Sequence, residues 1–130
     1  MKAPTESQAL NQLPRRLAEL LGVAATDAKL RRQRGGATHA DAIAEIAGNI
    51  FVIEWKGSST VARVADAARQ ARLDAAKVGK RAIPVVAVPF MGPAGRARCE
   101  EAGVGWLDLS GNAHLVGPGL RVKMEGQPNR

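Results

Sequence analysis

Apolar residues recur with a helical period near the start of the chain. The leucines of this stretch, spaced mainly three or four residues apart, are Leu10, Leu13, Leu17, Leu20 and Leu21. This spacing predicts an amphipathic helix over residues 5–21. Thr5 and Gln8 stand at the start with the spacing of a capping box. Pro14 lies inside the helix, so we expect either a kink or a fresh helix start there.

A second helical pattern occupies the middle of the chain. It follows residues 57–60 and runs to about Val78, where Gly79 ends it. The stripe that we expect to be buried consists of Val61, Val64, Ala65, Ala68, Ala71 and Ala75. These small side chains allow the helix to lie close to a sheet. A shorter helix is predicted from Pro93 to Ala102.

Four further strand signals lie in the second half of the chain. Residues 83–88 form a nearly continuous apolar run, which is typical of a strand covered on both faces. Residues 104–109 predict another strand, and residues 113–116 and 120–124 predict a last hairpin. The strand before the second helix and the strand after it make a βαβ unit, whose crossover should be right-handed.

The segment between the first two helices predicts a hairpin. Residues 41–56 read DAIAEIAGNIFVIEWK, with a two-residue turn predicted at Gly48–Asn49. That turn places Asp41 opposite Lys56. Because side chains alternate along a strand, Glu54 shares their face. A three-residue loop would move Asp41 to the opposite face.

Two carboxylates and an ammonium group would then converge at one end of the hairpin. Carboxylate oxygens are the ligands that hard cations such as Mg²⁺ prefer. A cation held beside an ammonium group can activate a water molecule. The sequence therefore predicts a site for such chemistry at Asp41, Glu54 and Lys56.

The charge of the chain favours a nucleic acid partner. Its 130 residues suffice for one domain with a sizeable core, and 45% of them are hydrophobic. Lys and Arg number 19 against 12 Asp and Glu, so the net charge is +7. Such a balance favours DNA or RNA first and an acidic membrane second. The basic residues Lys29, Arg31, Arg32 and Arg34 stand close together, and we expect them to contact DNA phosphates.

The composition of the chain argues against base-stacking, disulfide, zinc-binding and membrane-spanning features. Aromatic residues make up 3% of the chain and Tyr is absent, which argues against a base-stacking platform. Cys99 is the only cysteine, so no disulfide forms within the chain, and an ordinary Cys/His zinc site cannot be built. No apolar run has the length of a signal peptide or a membrane span. We expect a cytoplasmic protein with no membrane contact.

These features resemble a known superfamily. Asp41, a spacer and Glu54-Trp55-Lys56 on the next strand, followed by a helix and a strand, resemble the PD-(D/E)xK nucleases. Ala40 replaces the proline of that motif, at a position that varies in the superfamily. The segment VVAVPFMGPAGRARCEEAGVGWLDLSGNAHL is similar to Mrr-like restriction endonuclease domains, which also pass from a buried strand through a loop and a short helix into a strand with Leu-Asp.

The resemblance covers about residues 40–116 and implies an α/β fold. We expect a restriction-endonuclease-like mixed β-sheet flanked by helices, with a C-terminal β-hairpin. The domain would be single, 1–130, with an N-terminal helical segment at 1–22 and the nuclease-like core at 40–116. Within the core, Asp108 and Asn112 are expected to fix the turn between them through hydrogen bonds to the backbone.

The resemblance also implies an activity. In a nuclease of this type Asp41, Glu54 and the backbone carbonyl of Trp55 would bind Mg²⁺, with Mn²⁺ as a substitute. Lys56 would orient the attacking water or neutralise the transition state. The reaction would be phosphodiester hydrolysis in DNA by an endodeoxyribonuclease.

Two accessory residues and three interpretations remain open. Glu19 in the first helix and Gln70 in the second are candidates for approaching the site. The chain could act alone as a homodimer, like the small Holliday-junction resolvases. It could be the cleavage domain of a larger DNA-defence protein, or a non-catalytic DNA-binding or transcription-regulatory domain that retains the nuclease fold. No segment after Met124 has the pattern of a recognition helix.

Overall fold

The computed structural model describes residues 5–24, 29–32, 40–58 and 60–128 of the chain. The elements in these ranges, in chain order, are α1 (Glu6–Leu21), β1 (Lys29–Arg32), β2 (Ala42–Ile46), β3 (Asn49–Trp55), α2 (Val61–Val78), β4 (Ile83–Val88), α3 (Pro93–Ala102), β5 (Gly105–Asp108), β6 (Ala113–Gly117) and β7 (Leu120–Met124). None of these helices is long and apolar enough to cross a membrane.

The strands of these ranges form one mixed sheet. Their order across the sheet, β1 to β7, is the same as their order in the chain. The β3–β4 and β4–β5 pairs are parallel, with α2 and α3 as their connections. All other neighbours are antiparallel, and β6 and β7 form the C-terminal hairpin. The mixed sheet, its helices and this hairpin confirm the predicted α/β, restriction-endonuclease-like fold class.

Helices cover both faces of the sheet. Leu10, Leu13 and Leu17 of α1 pack in one cluster with Ile53 and Trp55 of β3. On the other face α2 and α3 pack in a cluster whose strand members are Val86, Val88 and Trp106. Because neighbouring side chains on a strand point to opposite faces, Glu54 lies toward α2 while Trp55 lies toward α1.

The first helix follows its sequence pattern. The Thr5 hydroxyl accepts a hydrogen bond from the backbone N–H of Gln8 (3.2 Å), and the Gln8 side chain accepts one from the N–H of Thr5 (3.0 Å). These two bonds satisfy donors that a helix start otherwise leaves unpaired. The helix continues through Pro14, so the alternative of a fresh start there is wrong. It ends at Gly22 in the left-handed conformation, with φ of 69°.

The buried stripe of α2 differs from the predicted one at its start. Its buried members are Val64, Ala67, Ala68, Ala71, Asp74 and Ala75. Val61 is 40% exposed, and Ala65 is half-buried. The reason is geometric: at 100° per residue the buried arc is centred on Ala71, and Val61 falls beyond its edge. The arc includes a carboxylate, Asp74, that the pattern of small apolar residues did not predict.

The hairpin register is shifted from the predicted one. Ile46 pairs with Asn49, so the two-residue loop is Ala47–Gly48 rather than Gly48–Asn49. Both loop residues have positive φ, 51° and 78°, as a turn of this hand requires. The Asn49 amide donates to the carbonyls of Ile46 and Ala47, at 3.4 and 3.3 Å, which holds the loop in this register.

Candidate active site

The register shift changes which residue of β3 lies beside Asp41. Ala42 pairs with Ile53 at the last paired position of the two strands, where the predicted turn would have paired Ala42 with Trp55. Asp41 comes directly before β2, beside the end of β3, and its charge acts on the carboxyl group of Glu54.

Asp41 is fastened to the end of β3 by two hydrogen bonds. Its backbone N–H donates to the carbonyl of Ile53 at 3.0 Å. Its carboxylate Oδ2 accepts a bond of 2.8 Å from the backbone N–H of Trp55. Burial raises the pKa of Asp41, and the nearby Glu6 raises it further, whereas the Trp55 N–H and the charge of Lys56 lower it.

Glu54, near the end of β3, is a buried carboxyl group. Its side chain is 5% exposed. Burial, a hydrogen bond to Asp74 and the charges of Asp41 and Asp74 together raise the pKa of Glu54 to about 8, against the opposing charge of Lys56. The described residues offer the Oε1 atom of Glu54 no hydrogen-bond partner.

Asp74 brings a carboxyl group to the site from the helix above. It is fully buried on the sheet side of α2. Its Oδ1 accepts a bond of 3.1 Å from the Nε2 of Gln70, one helical turn earlier. The sequence analysis missed this residue, although its position three after Ala71 and next to Ala75 places it on the buried face. Gln70, predicted as an accessory residue, reaches the cluster through Asp74.

Lys56 follows directly after β3. Its backbone N–H donates to the carbonyl of Ala87 at 3.0 Å, which extends the β3–β4 ladder past the last assigned strand residue. Its side chain is half-buried, and its charge lowers the pKa of both Asp41 and Glu54. The ammonium group therefore acts on both carboxylates, as the predicted cluster requires.

The acidic residue of α1 nearest to the cluster is Glu6, and the expectation that it would be Glu19 is wrong. Glu6 interacts with Asp41 through its charge and a side-chain hydrogen bond. Glu19 lies thirteen residues further along the helix, about 20 Å at 1.5 Å per residue. There it lines a cavity of about 260 Å³ with Asp108 and Asn112. The sequence of α1 does not indicate the direction in which the helix packs on the sheet. It therefore could not show that the start of α1, and not its end, lies near Asp41.

The predicted metal site has few protein ligands. In the described part of the chain no group of three or more His, Cys, Asp or Glu side chains is arranged to hold a metal ion. The predicted ligand set contains only two side chains, Asp41 and Glu54, with the backbone carbonyl of Trp55 as its third member. Mg²⁺ is usually bound through one or two carboxylates and keeps several water ligands, so this sparse set fits that ion.

The predicted phosphate-contacting residues lie on the first strand and beyond it. Lys29, Arg31 and Arg32 are on β1, which pairs with β2 at the edge of the sheet. Arg34 lies outside the described residues.

A separate polar network holds the β5–β6 turn. Asp108 is buried and accepts bonds of 2.9–3.0 Å from the backbone N–H groups of Met91, Ser110 and Asn112 and from the Asn112 amide. Asn112 also exchanges two bonds of 2.9 Å with the backbone of Gln127. The prediction that Asp108 and Asn112 fix this turn is confirmed, and the same network anchors the segment after β7.

The whole fold is similar to a known crystal structure. It matches a repair endonuclease from Pyrococcus abyssi with a TM-score of 0.55 and 17% sequence identity. The match covers 84% of this chain and 49% of that protein, so the chain spans about half of the endonuclease's length. At this identity the likeness establishes the fold. No protein-family model and no curated protein matches the sequence.

Proposed function

We propose that this chain is a metal-dependent DNA endonuclease domain of the PD-(D/E)xK type, with Asp41, Glu54 and Lys56 as its catalytic residues. The observation that carries the proposal is the environment of the Oε1 atom of Glu54. This atom is buried, the charge of Asp41 acts on its carboxyl group, and it has no hydrogen-bond partner among the described residues. A buried polar atom left in this way is costly unless the site serves to bind something.

The residues have separable roles in this reaction. Asp41 and Glu54 would hold Mg²⁺ together with the carbonyl of Trp55, and Glu6 interacts with Asp41 as an accessory carboxylate. The ion, when bound, lowers the pKa of a water and offsets the charge of the phosphate. Lys56 orients that water or stabilises the negative charge that develops on the phosphate.

DNA is the proposed substrate on two grounds. The net charge of +7 favours a polyanion, and the similar structure is that of a repair endonuclease. The chain could act as a homodimer on branched DNA or as part of a larger protein. The type of DNA that it prefers to cleave distinguishes these two alternatives. The same assay therefore tests the activity and distinguishes these forms.

The experiment is a cleavage assay on supercoiled plasmid, branched and single-stranded DNA with Mg²⁺, Mn²⁺ or EDTA. We expect the parent to cleave with either metal, and Asp41→Asn and Lys56→Ala to bind DNA like the parent without cleaving it. Glu19→Gln is the matched control, because this exposed carboxylate lies about 20 Å along α1 from Glu6 and should leave cleavage unchanged. Cleavage that survives in Asp41→Asn would place the metal elsewhere and refute the assignment.

A non-catalytic DNA-binding domain is the second candidate. The observation that favours it is the contact between Glu54 and Asp74, since a pKa of about 8 keeps Glu54 protonated at neutral pH. Metal ligands must be deprotonated, so this contact opposes metal binding. In that case the parent binds DNA but does not cleave it, and calorimetry detects no Mg²⁺ uptake that depends on Asp41.

A further inference from the structure

The positive charge of the chain is concentrated on the second helix and the turn after it. Residues 61–81 contain six Lys and Arg against two Asp, a net charge of +4 out of the +7 of the whole chain. Of the two acidic residues, Asp74 is buried, and the side chain of Asp66 is 72% exposed. The basic residues are all exposed, and together they form the α2 basic face: Arg63, Arg69, Arg72, Lys77, Lys80 and Arg81.

Most of this charge is not neutralised within the protein. Arg69 pairs with Asp66 at 3.2 Å, and among the described residues this is the only ion pair that the α2 basic face makes. By contrast, α1 and α3 each carry two basic and two acidic residues, so their charges balance. Like charges three or four residues apart destabilise a helix slightly. The surplus on α2 therefore favours a partner that supplies negative charge.

The apolar side of α2 is already occupied. Val64 and Ala71 pack in the cluster that includes Val86 of β4 and Trp106 of β5. A basic amphipathic helix that binds a membrane needs its apolar side free to enter the lipid. The large apolar side chains of α2 that are exposed, Val61 and Leu73, lie about 18 Å apart along the helix and form no patch. The α2 basic face therefore fits a hydrated polyanion better than a lipid surface.

Both ends of α2 are tied to the segments that supply the candidate site. The helix begins at Val61, five residues after Lys56, so a short connection joins its first turn to the end of β3. Near its other end, Ala75 packs in one cluster with Ala40, the residue before Asp41. A polyanion bound along α2 would therefore lie beside the candidate site.

From this distribution of charge we infer that the α2 basic face is a DNA-contact surface, which binds the phosphate backbone of a duplex beside the candidate site. The inference rests on the proposed function, since DNA is the partner in both candidate functions. From Arg63 to Lys77 the helix rises about 21 Å. Over that length one strand of a duplex presents about six phosphates. The surface is separate from the basic residues of β1 and the segment after it.

Two variants of the full chain test the charges of α2 directly. The alanine variant combines Arg63→Ala, Arg72→Ala and Lys77→Ala. It removes three exposed cations, and alanine is a better helix former than the residues that it replaces. The lysine variant combines Arg63→Lys and Arg72→Lys, which keeps the charge of every position.

A matched control separates the position of the charges from their number. It combines Arg15→Ala, Arg98→Ala and Lys123→Ala, which removes the same charge from exposed positions on α1, α3 and β7. These three residues are not part of the α2 basic face or of the candidate site.

The measurement is the affinity for a short fluorescent DNA duplex at several NaCl concentrations, with EDTA present to prevent cleavage and the Tm of each variant recorded. Cations that contact phosphates release counterions, so log K falls linearly with log salt, by about 0.9 for each contact. We expect the alanine variant to reduce that slope by about 2.7. The lysine variant and the control should keep the slope of the parent. The three single alanine substitutions, at about 0.9 each, give the same test if the combined variant does not fold.

Several outcomes overturn the inference. If the alanine variant keeps the slope of the parent, α2 does not contact the duplex. If the control loses as much slope as the alanine variant, the effect belongs to the net charge of the protein. If the lysine variant loses as much, the charge of these residues is not what binds the phosphates. Each of these results leaves the nuclease proposal standing when the parent cleaves DNA.

Binding to phosphatidylserine vesicles tests the other possible occupant. We expect the alanine variant and the control to bind such vesicles equally. If the alanine variant loses vesicle binding while keeping the DNA slope of the parent, the surface belongs to a membrane and the inference is wrong. A parent that binds no duplex DNA also overturns the inference. If that parent does not cleave DNA either, the proposed function is wrong as well.

Discussion

The carboxylate of Asp41 accepts a 2.8 Å hydrogen bond from the backbone N–H of Trp55, so the residue that precedes β2 is locked to the last residue of β3. This bond uses one oxygen of the carboxylate, and the charge of the same group acts on Glu54. The same side chain therefore closes the open end of the hairpin and contributes to the candidate site.

The first prediction separates these two roles of Asp41. Asp41→Ala leaves the Trp55 N–H without its acceptor and should lower the free energy of unfolding by about 1–3 kcal/mol. Asp41→Asn retains an oxygen acceptor and should lose less. Both variants should lack cleavage, because neither carries the charge that holds a metal. Urea denaturation measures the first effect, and equal stability of the two variants would contradict the role assigned to the hydrogen bond.

The second prediction concerns the pH dependence of stability. Folding raises the pKa of Glu54 from an ordinary 4.5 to about 8, mainly because the group is buried. The folded protein then binds the proton more tightly than the unfolded chain does. Stability from this group is fully present below pH 4.5 and is lost as the pH rises to about 8.

The slope from this one group should not exceed about 1.4 kcal/mol per pH unit. Glu54→Gln cannot ionise and should remove that part of the slope. Urea midpoints measured with EDTA between pH 5 and pH 8, for the parent and Glu54→Gln, test the expectation. Parallel curves for the two proteins would show that Glu54 does not titrate in this range.

The third prediction concerns the basic residues of the first strand and the segment after it. If Arg31, Arg32 and Arg34 contact phosphates, their joint replacement by Ala should reduce the slope of log K against log salt by about 0.9 for each contact. Arg98→Ala is the control, because Arg98 lies on α3 and pairs with Glu101. An unchanged slope in the triple variant would assign these arginines to a solvated surface.

The fourth prediction concerns the Asp108–Asn112 network. Asn112→Ala removes a fully buried amide that serves both Asp108 and Gln127, and should cost about 1–3 kcal/mol. Asn112→Asp should cost more, since a second carboxylate would then face Asp108. Asn11→Ala, on the exposed side of α1, should be nearly neutral. If the Asp variant is the more stable of the two Asn112 variants, the direction of these bonds is wrong.

Local patterns in the sequence were sufficient to predict most of the fold. The capping box and leucine period of α1, the apolar run of β4 and the turn chemistry at Asp108 each depend on residues close together in the chain. The hairpin register was wrong because Ala47–Gly48 and Gly48–Asn49 are both plausible loops. The choice between them depends on hydrogen bonds from the Asn49 side chain, which a pattern of apolar and polar residues does not contain.

The candidate site was less predictable because it depends on packing between distant elements. Asp41 and Glu54 share a face in either register, so their proximity did not require the correct turn. Asp74 was missed because the residues chosen for the buried stripe were apolar, although its helical position lies within the buried arc. Glu6 was missed because nothing in α1 itself indicates which of its ends lies beside Asp41.

The strand order of the sheet has a consequence for the kinetics of folding. Each of the seven strands in the described part of the chain pairs only with its neighbours in sequence, so none of these strands has to enter between two that have already paired. Contacts between segments close in sequence cost less loop-closure entropy and form faster. The strands β1, β2 and β3 can therefore pair with one another without waiting for the strands that follow α2. The later strands then extend an existing edge one at a time.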